Sequence, residues 1–331
     1  MKRLMFKSLL AIAAASTLGM AHAQEKVIKF AVQNPKGHPI VTGVEKFAEI
    51  VNSKAAGKLK VNIYAGGALG SDFQVISAMQ GGTVEMGVMN SSITAGTVKE
   101  MAVYDFPFLF RSEKEADAIV DGPFGKKMHA KLEEKGMVGL SYFELGFRNI
   151  TNSKRPLSKV EDIAGLKLRV IPTTINVDWV SALGANPTPL PFPEVYGALE
   201  QKAIDGQENP YTVIFSNKLQ EVQKYLAITN HQYNPQSVII GKKFWDRLSA
   251  EEKTTIQDAA IEAAKFQRTV SRKEMALALE GLKKAGMAVT EFSPAELSKF
   301  NDKMKPVYDK HGAALGSTYK ELTEELAKLR K

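Results

Sequence analysis

The chain has 331 residues, with 44 Lys and Arg against 36 Asp and Glu, a formal net charge of +8 and no cysteine. That length gives room for one large or two ordinary domains with hydrophobic cores. The absent thiols exclude disulfides, thiolate metal sites and lipid attachment at a cleaved cysteine, and bases interleaved with acids, as in EEKTTIQDAAIEAAKFQRTVSRKE, argue against a nucleic-acid surface.

The N-terminus reads as an address. Lys2 and Arg3 form a basic start, Ser8 to Met20 (SLLAIAAASTLGM) is uncharged and mostly apolar, and Ala21-His22-Ala23 is an A-x-A cleavage site. This predicts a signal peptide over 1–23, a mature chain starting near Gln24 and a periplasmic location. The run is shorter than the roughly 18 to 20 apolar residues a membrane span needs. Loss of Lys2, Arg3 and Lys7 takes the net charge from +8 to +5. Mild basicity of this kind helps an anionic small molecule approach.

Downstream, KVIKFAV (Lys26 to Val32) predicts a strand, followed by a helix from about Pro39 with Val44, Phe47, Ile50 and Val51 at helical spacing. KLKVNIYA predicts a strand, and GGALGSD a glycine-rich turn with Asp72 as N-cap of the helix FQVISAMQ. VEMGVM predicts the next strand. Strands alternating with helices indicate an α/β fold with a largely parallel sheet. The alternation resumes after MVGLSYFEL: LKLRVI as strand, NVDWVSALG as helix, PEVYGALEQ as a helix opened by Pro193, and a strand around Ala203 to Gly206.

In GLKLRV, Leu166, Leu168 and Val170 share one face, with Lys167 and Arg169 on the other. A charged residue opposite an apolar face is solvated by default. The question is whether Arg169 instead faces something acidic.

YLAITNHQYNPQSVIIG reads as a long, partly extended segment. SAEE at Ser249 to Glu252 is a capping box, and the helical pattern runs on to Gly286 with Gly281 as a weak point. Such a helix is about 50 Å long, long enough to lie across two domains. SPAE at Ser293 caps a further helix with Pro294 in first position. Extended crossings near Leu145 to Asn149 and Thr229 to Ser237 make natural hinges. The expected architecture is two α/β lobes flanking a cleft: lobe I from 24–145 plus about 234–273, lobe II from 146–233 plus about 274–331. Clefts between domains are favoured small-molecule sites.

Enzyme motifs are lacking. His38, His129, His231 and His311 show no metal spacing, there is no H-E-x-x-H, G-x-S-x-G or Walker loop, and Gly66, Gly67 and Gly70 do not form G-x-G-x-x-G. Neighbouring Glu161 and Asp162 fit a turn before Gly165. His129, on a Lys-rich amphipathic helix, reads as a surface residue. His231 borders a cleft or plays a structural part. No cofactor or metal is expected.

Three segments carry a sharper signal: FRNITNSKRPLSKVEDIAGLKLRV, GANPTPLPFPEVYGALEQKAIDGQENP and EVQKYLAITNH. With GGALGSD and DFPFLF, they closely resemble the solute-binding proteins of TRAP transporters, across essentially the whole mature chain. The resemblance implies an extracytoplasmic receptor of two α/β lobes, with crossing strands and a long helix spanning both. Such a receptor is not an enzyme. It captures a small organic acid, closes on it and delivers it to a membrane permease driven by an ion gradient.

The resemblance also implies a ligand set. Arg169 matches the family arginine that grips the ligand carboxylate, a role that suits a planar guanidinium with two parallel donors. Asn209 matches an asparagine bonding the carboxylate region, where it otherwise reads as a turn residue before Pro210. Arg148 matches a second cleft arginine, holding a second acid or hydroxyl group or forming a hinge salt bridge. Phe192 matches a pocket-lining aromatic. Gln33, Asp72 and Asn90 match ligand-facing positions of the first lobe, with cap or turn roles as the alternative for Asp72 and Asn90. Gln33 and Asn90 replace the Asn and Glu of some sialic-acid-binding relatives, which speaks against sialic acid. A C4-dicarboxylate and a hydroxylated monocarboxylate such as a sugar acid both remain open. So do two rivals: a receptor presenting ligand to a sensor kinase, and an exported enzyme acting on a carboxylate. The expected oligomeric state is a monomer.

Overall fold

The computed structural model describes residues 25–55 and 57–331; the segment expected to be a signal peptide lies outside the described residues. In chain order the elements are β1 (Lys26–Val32), α1 (Pro39–Lys54), β2 (Leu59–Tyr64), α2 (Asp72–Gly81), β3 (Met86–Asn90), α3 (Glu113–Asp121), α4 (Pro123–Glu133) and β4 (Met137–Asn152). There follow β5 (Lys167–Val170), α5 (Thr174–Ala182), β6 (Asn186–Pro189), α6 (Val195–Glu200), β7 (Gly206–Asn209), α7 (Tyr211–Ser216) and β8 (Tyr225–Gly241). The chain ends in α8 (Lys242–Trp245), α9 (Ala250–Lys284), β9 (Ala288–Glu291), α10 (Pro294–Lys303), α11 (Lys305–Leu315) and α12 (Ser317–Leu329).

Local sequence explains most of these boundaries. The ring nitrogen of His38 accepts from the Ile40 N–H and Pro39 takes the first helical position, so α1 starts there. Its apolar stripe of Ile40, Val44, Phe47 and Val51 is fully buried. At α2 the cap is Ser71, which forms a capping box with Gln74; Asp72, expected as N-cap, is the first helical residue instead. The helix expected from Pro193 begins as a 3-10 turn at Phe192–Glu194 and becomes α-helical only at Val195. The strand expected at Ala203 to Gly206 starts at Gly206 and runs to Asn209.

The described strands form one sheet in the order β2-β1-β3-β8-β4-β7-β5-β6, with β9 on β8. Its flanks are parallel, as expected: β1 with β2 and β3, and β5 with β6 and β7. Its centre is not. The 16-residue β4 and 17-residue β8 run antiparallel from Met137↔Gly241 to Asn152↔Tyr225. The register slips between Gly139 and Ser141, Glu144 and Gly146, and Arg148 and Ile150. At the last slip four residues of β8, Ile228 to His231, lie opposite Asn149 alone. Asn149 Oδ1 accepts from the N–H groups of Thr229 (2.9 Å) and Asn230 (3.0 Å), so the bulge is hydrogen-bonded. Both hinge stretches expected from sequence fall on this pair of strands.

The helix α9 has 35 residues, about 52 Å at 1.5 Å per residue, and runs through Gly281 unbroken. Its N-terminal half packs Ile256, Ala259, Ala260 and Ala263 into the core under β1, β2 and α1. Its C-terminal half packs Ala278 and Leu282 with α6 and α7. Between them Gln267 clasps β4: Oε1 accepts from Glu144 N and Nε2 donates to Glu144 O, both at 2.8 Å. Gly43 allows α1 this close, since a Cβ there would stand 2.6 Å from Gln267 and 2.7 Å from Phe143.

Candidate functional site

Lys167 and Arg169 have opposite fates. Lys167 is exposed, whereas Arg169 is 2% exposed. Leu190 O accepts from its Nε (2.9 Å) and Nη2 (2.7 Å), and the Phe192 ring lies 5.9 Å from its guanidinium carbon. Two of five N–H donors are thereby used. Burial lowers the guanidinium to about 10, helped by the Arg148 charge and opposed by Glu208, Asp72 and Glu194. Arg169 is therefore held inside by a backbone carbonyl, and the Glu208, Asp72 and Glu194 carboxylates act on it through their charge and not as direct partners.

Arg148 is spent. Its Nε donates to Glu208 Oε2, and its Nη2 to Glu208 Oε1 (2.7 Å) and to the Glu208 carbonyl. Its Nη1 donates to Asn234 Oδ1 at 2.8 Å. Four of five donors are occupied by the protein, and both residues of the pair are buried. Burial pushes the Glu208 carboxyl up, but the Arg148 charge, the nearby His231 and the Arg148 hydrogen bonds outweigh it and hold the group at about 2. Of the two readings for Arg148, the salt bridge describes this geometry.

Asn209 closes β7, two residues after Gln207, whose Oε1 accepts from Asn209 Nδ2 at 2.6 Å. Opposite stand three residues at the ends of the other parallel flank. Gln33 follows β1 and donates through Nε2 to Gly70 O at 2.8 Å, leaving Oε1 buried without a partner. Asn90 ends β3; its Oδ1 caps Ser92 N at 3.2 Å and its Nδ2 is buried without a partner. Half-buried Asp72 opens α2. Burial pushes its carboxyl up to about 7, against the Arg169 charge and the Gln33 side chain. The turn that presents Asp72 needs glycine at Gly66, Gly67 and Gly70, where φ is 70°, 72° and 99°.

All seven expected residues, Gln33, Asp72, Asn90, Arg148, Arg169, Phe192 and Asn209, line one cavity of about 60 Å³. Beside it the two sides of the molecule nearly meet: a Cβ at Gly67 would stand 3.5 Å from Pro193. The sequence reading missed Gln236 on β8, which lines the cavity with its Nε2 unpartnered, and Glu208, which holds Arg148. Glu208 sits beside Asn209 in GQENP, but only the β4–β7 register reveals its partner. A larger groove of about 570 Å³ lies between α4, β4 and α9. There Asp121 takes both Nη groups of Arg268, at 2.5 and 2.8 Å, so its central cation is already paired.

The histidines serve the fold. His129 is a correction: it is buried, stacked on Tyr142 at 3.8 Å and bonded to Ser237 Oγ at 3.0 Å. His231 is fully buried, with Nε2 3.4 Å from Glu208, and His311 meets Asp178 at 2.6 Å. No helix of the described residues is long and apolar enough to cross a membrane.

Residues 30–314 match the family model described as bacterial extracellular solute-binding protein, family 7. A TRAP periplasmic solute-binding protein from Ochrobactrum anthropi, solved with its C-terminus bound in the ligand-binding pocket, is 53% identical with a TM-score of 0.83, over 92% of this chain and 96% of that one. The sugar acid binding protein DctPAm of Advenella mimigardefordensis, solved with galactonate, is 40% identical with a TM-score of 0.90, over 92% and 98%. The 2,3-diketo-L-gulonate-binding periplasmic protein of Escherichia coli is 36% identical over 84% of each chain.

Proposed function

This chain belongs to the bacterial extracellular solute-binding proteins of family 7, and on that premise we propose that it captures a sugar acid in the periplasm and hands it to a TRAP-type permease. The family is one of receptors for carboxylate uptake, with two lobes around the ligand. The proposed lobes are 24–145 with about 234–273, and 146–233 with about 274–331. Arg169, Asn209, Arg148 and Phe192 then come from one lobe, and Gln33, Asp72 and Asn90 from the other. The receptor acts as a monomer and turns nothing over.

The observation that carries this reading is the contrast between the two arginines. Arg169 has three donors left over from Leu190 O and faces the cavity. A ligand carboxylate there forms charge-assisted, bidentate hydrogen bonds. Arg148 offers no second clamp, because Glu208 neutralises it. A second ligand carboxylate near Asp72 would be repelled, whereas hydroxyl groups find acceptors in Asp72 and Gln33. One acid group followed by hydroxyls fits better than two acid groups. The acids named for two of the relatives above, galactonate and 2,3-diketo-L-gulonate, have this form.

Closure follows by population shift: contacts to both lobes exist only in the closed form, so the ligand favours it. The test is a thermal-shift screen against galactonate, galacturonate, erythronate, malate and succinate. A ligand at about a hundred times its dissociation constant adds about 2.7 kcal/mol of stability. A rise with the sugar acids and none with malate or succinate supports the reading; the reverse order refutes it.

A further inference from the structure

Three buried side chains behind Asn209 decide which way its amide faces. The first is Gln223, whose Nε2 donates to Val222 O at 3.0 Å and to Asp205 O at 3.4 Å. Both partners are carbonyls, which only accept, so the nitrogen end of this amide is fixed there and Oε1 is the end that meets Thr151. Thr151 Oγ1 donates its one hydrogen to Gln223 Oε1 at 2.8 Å. Towards Gln207 the same hydroxyl can then only accept, and Gln207 Nε2 reaches it at 2.8 Å. That leaves Gln207 Oε1 facing Asn209, whose Nδ2 donates to it at 2.6 Å. Reversing any one of the three amides sets two acceptors against each other, so the direction fixed at Val222 and Asp205 is carried to Asn209.

Thr151, Gln207 and Gln223 are buried and none of them lines the cavity, whereas Asn209 does. One Asn209 N–H is spent on Gln207, the second is free, and Oδ1 has no partner among the described residues. The strands β5 and β7 are parallel neighbours with Leu168 opposite Gly206. Arg169 is thus level with Gln207, and Asn209 lies two residues on, on the same face. The cleft offers, side by side, a guanidinium that only donates and an amide oxygen that only accepts.

We propose that Thr151, Gln207 and Gln223 are positioning residues that hold Asn209 Oδ1 in the cleft as an acceptor, and that the receptor thereby selects acids with a hydroxyl next to the carboxylate over the matching keto acids. This rests on the reading of the cleft as an acid-binding site. The carboxylate lies on Arg169 and takes the second Asn209 N–H. The hydroxyl on the adjacent carbon donates to Oδ1. A keto oxygen in its place sets acceptor against acceptor and leaves Oδ1 without a hydrogen. The amide does not turn to accommodate it, because the chain behind is locked.

The test is isothermal titration calorimetry with two matched pairs, erythronate and galactonate, each against its 2-keto counterpart. The unmodified protein is expected to bind each hydroxy acid about tenfold or more tightly than the keto acid. Thr151→Val removes the hydroxyl at nearly constant shape and breaks the chain, whereas Thr151→Ser keeps it. The ratio of hydroxy-acid to keto-acid affinity is expected to fall towards one in Thr151→Val and to stay high in Thr151→Ser. A role in packing alone would weaken both acids alike and leave the ratio where it was. Gln223→Met cuts the chain one link further from the cleft and repeats the test should Thr151→Val fail to fold. Equal or tighter binding of the keto acids by the unmodified protein overturns the proposal and leaves the ligand reading standing. A ratio that survives both cuts also overturns it. Binding of none of the four acids removes the sugar-acid reading, and this proposal with it.

Discussion

Glu208 grips Arg148 through both carboxylate oxygens, with Oε1 2.7 Å from Nη2, and neither side chain is more than 2% exposed. Arg169 is left with three donors for the cavity. The buried pair removes one positive charge from the site without removing the arginine.

Glu208→Ala leaves a buried, unpaired guanidinium. The expected cost is about 3–5 kcal/mol, read as a lower urea midpoint. The double variant Arg148→Met/Glu208→Met is expected to lose much less than the sum of the single variants. A merely additive result counts against the pair.

Arg169→Met removes the carboxylate clamp but keeps the aliphatic volume. Acid affinity is expected to fall by about 2–5 kcal/mol, roughly thirty-fold or more. Circular dichroism should stay unchanged. Retention of affinity by Arg169→Met in calorimetry would show that another cation holds the acid.

Gly43→Ala forces a Cβ to within 2.6 Å of Gln267 Cγ and 2.7 Å of the Phe143 ring. Overpacking of this kind costs about 1–3 kcal/mol. Thermal melts should show it as a lower midpoint, and Gln267→Ala in the same chain should restore part of the loss.

Burial drives His38 and His129 from an ordinary 6.5 down to about 3, so both are neutral in the fold. The unfolded chain binds these protons below pH 6.5 and the folded chain does not. Stability therefore falls as pH drops from 6.5 towards 3, by about 1.4 kcal/mol per pH unit for each histidine. His38→Asn keeps an acceptor at the cap of α1 and removes one titration. Urea unfolding from pH 7 to pH 4 should show a shallower slope for that variant; an unchanged slope rules out His38 as a contributor.

Much of this was legible in the sequence. The alternation in KVIKFAV and the capping box SAEE gave β1 and the start of α9, because each signal lies within a few residues. The box Ser71-x-x-Gln74 is equally local, and it takes the cap position that Asp72 also suits. The pairing of Arg148 with Glu208 was not legible, since it depends on strands 60 residues apart finding their register. Nor was the burial of His129. Its helix carries the lysines of a surface helix, and the ring is covered because Gly139 on β4 leaves room: a Cβ there would stand 2.2 Å from it. The antiparallel centre escaped for a similar reason. β4 and β8 are each interrupted by register slips, so neither shows a period long enough to declare its partner.

The position of β8 bears on how the chain folds. The inner edge of β3 pairs with β8, Met86 with Ile240 and Asn90 with Gln236. A chain emerging from its N-terminus forms β1, β2 and β3 early, then waits for some 150 further residues before that edge is covered. An uncovered edge is a template for pairing with other chains, and contacts of such long sequence separation form slowly. β8, which joins the two flanks of the sheet, is thus also what seals the edge of β3, and a chain of this design needs protection until three quarters of it has emerged.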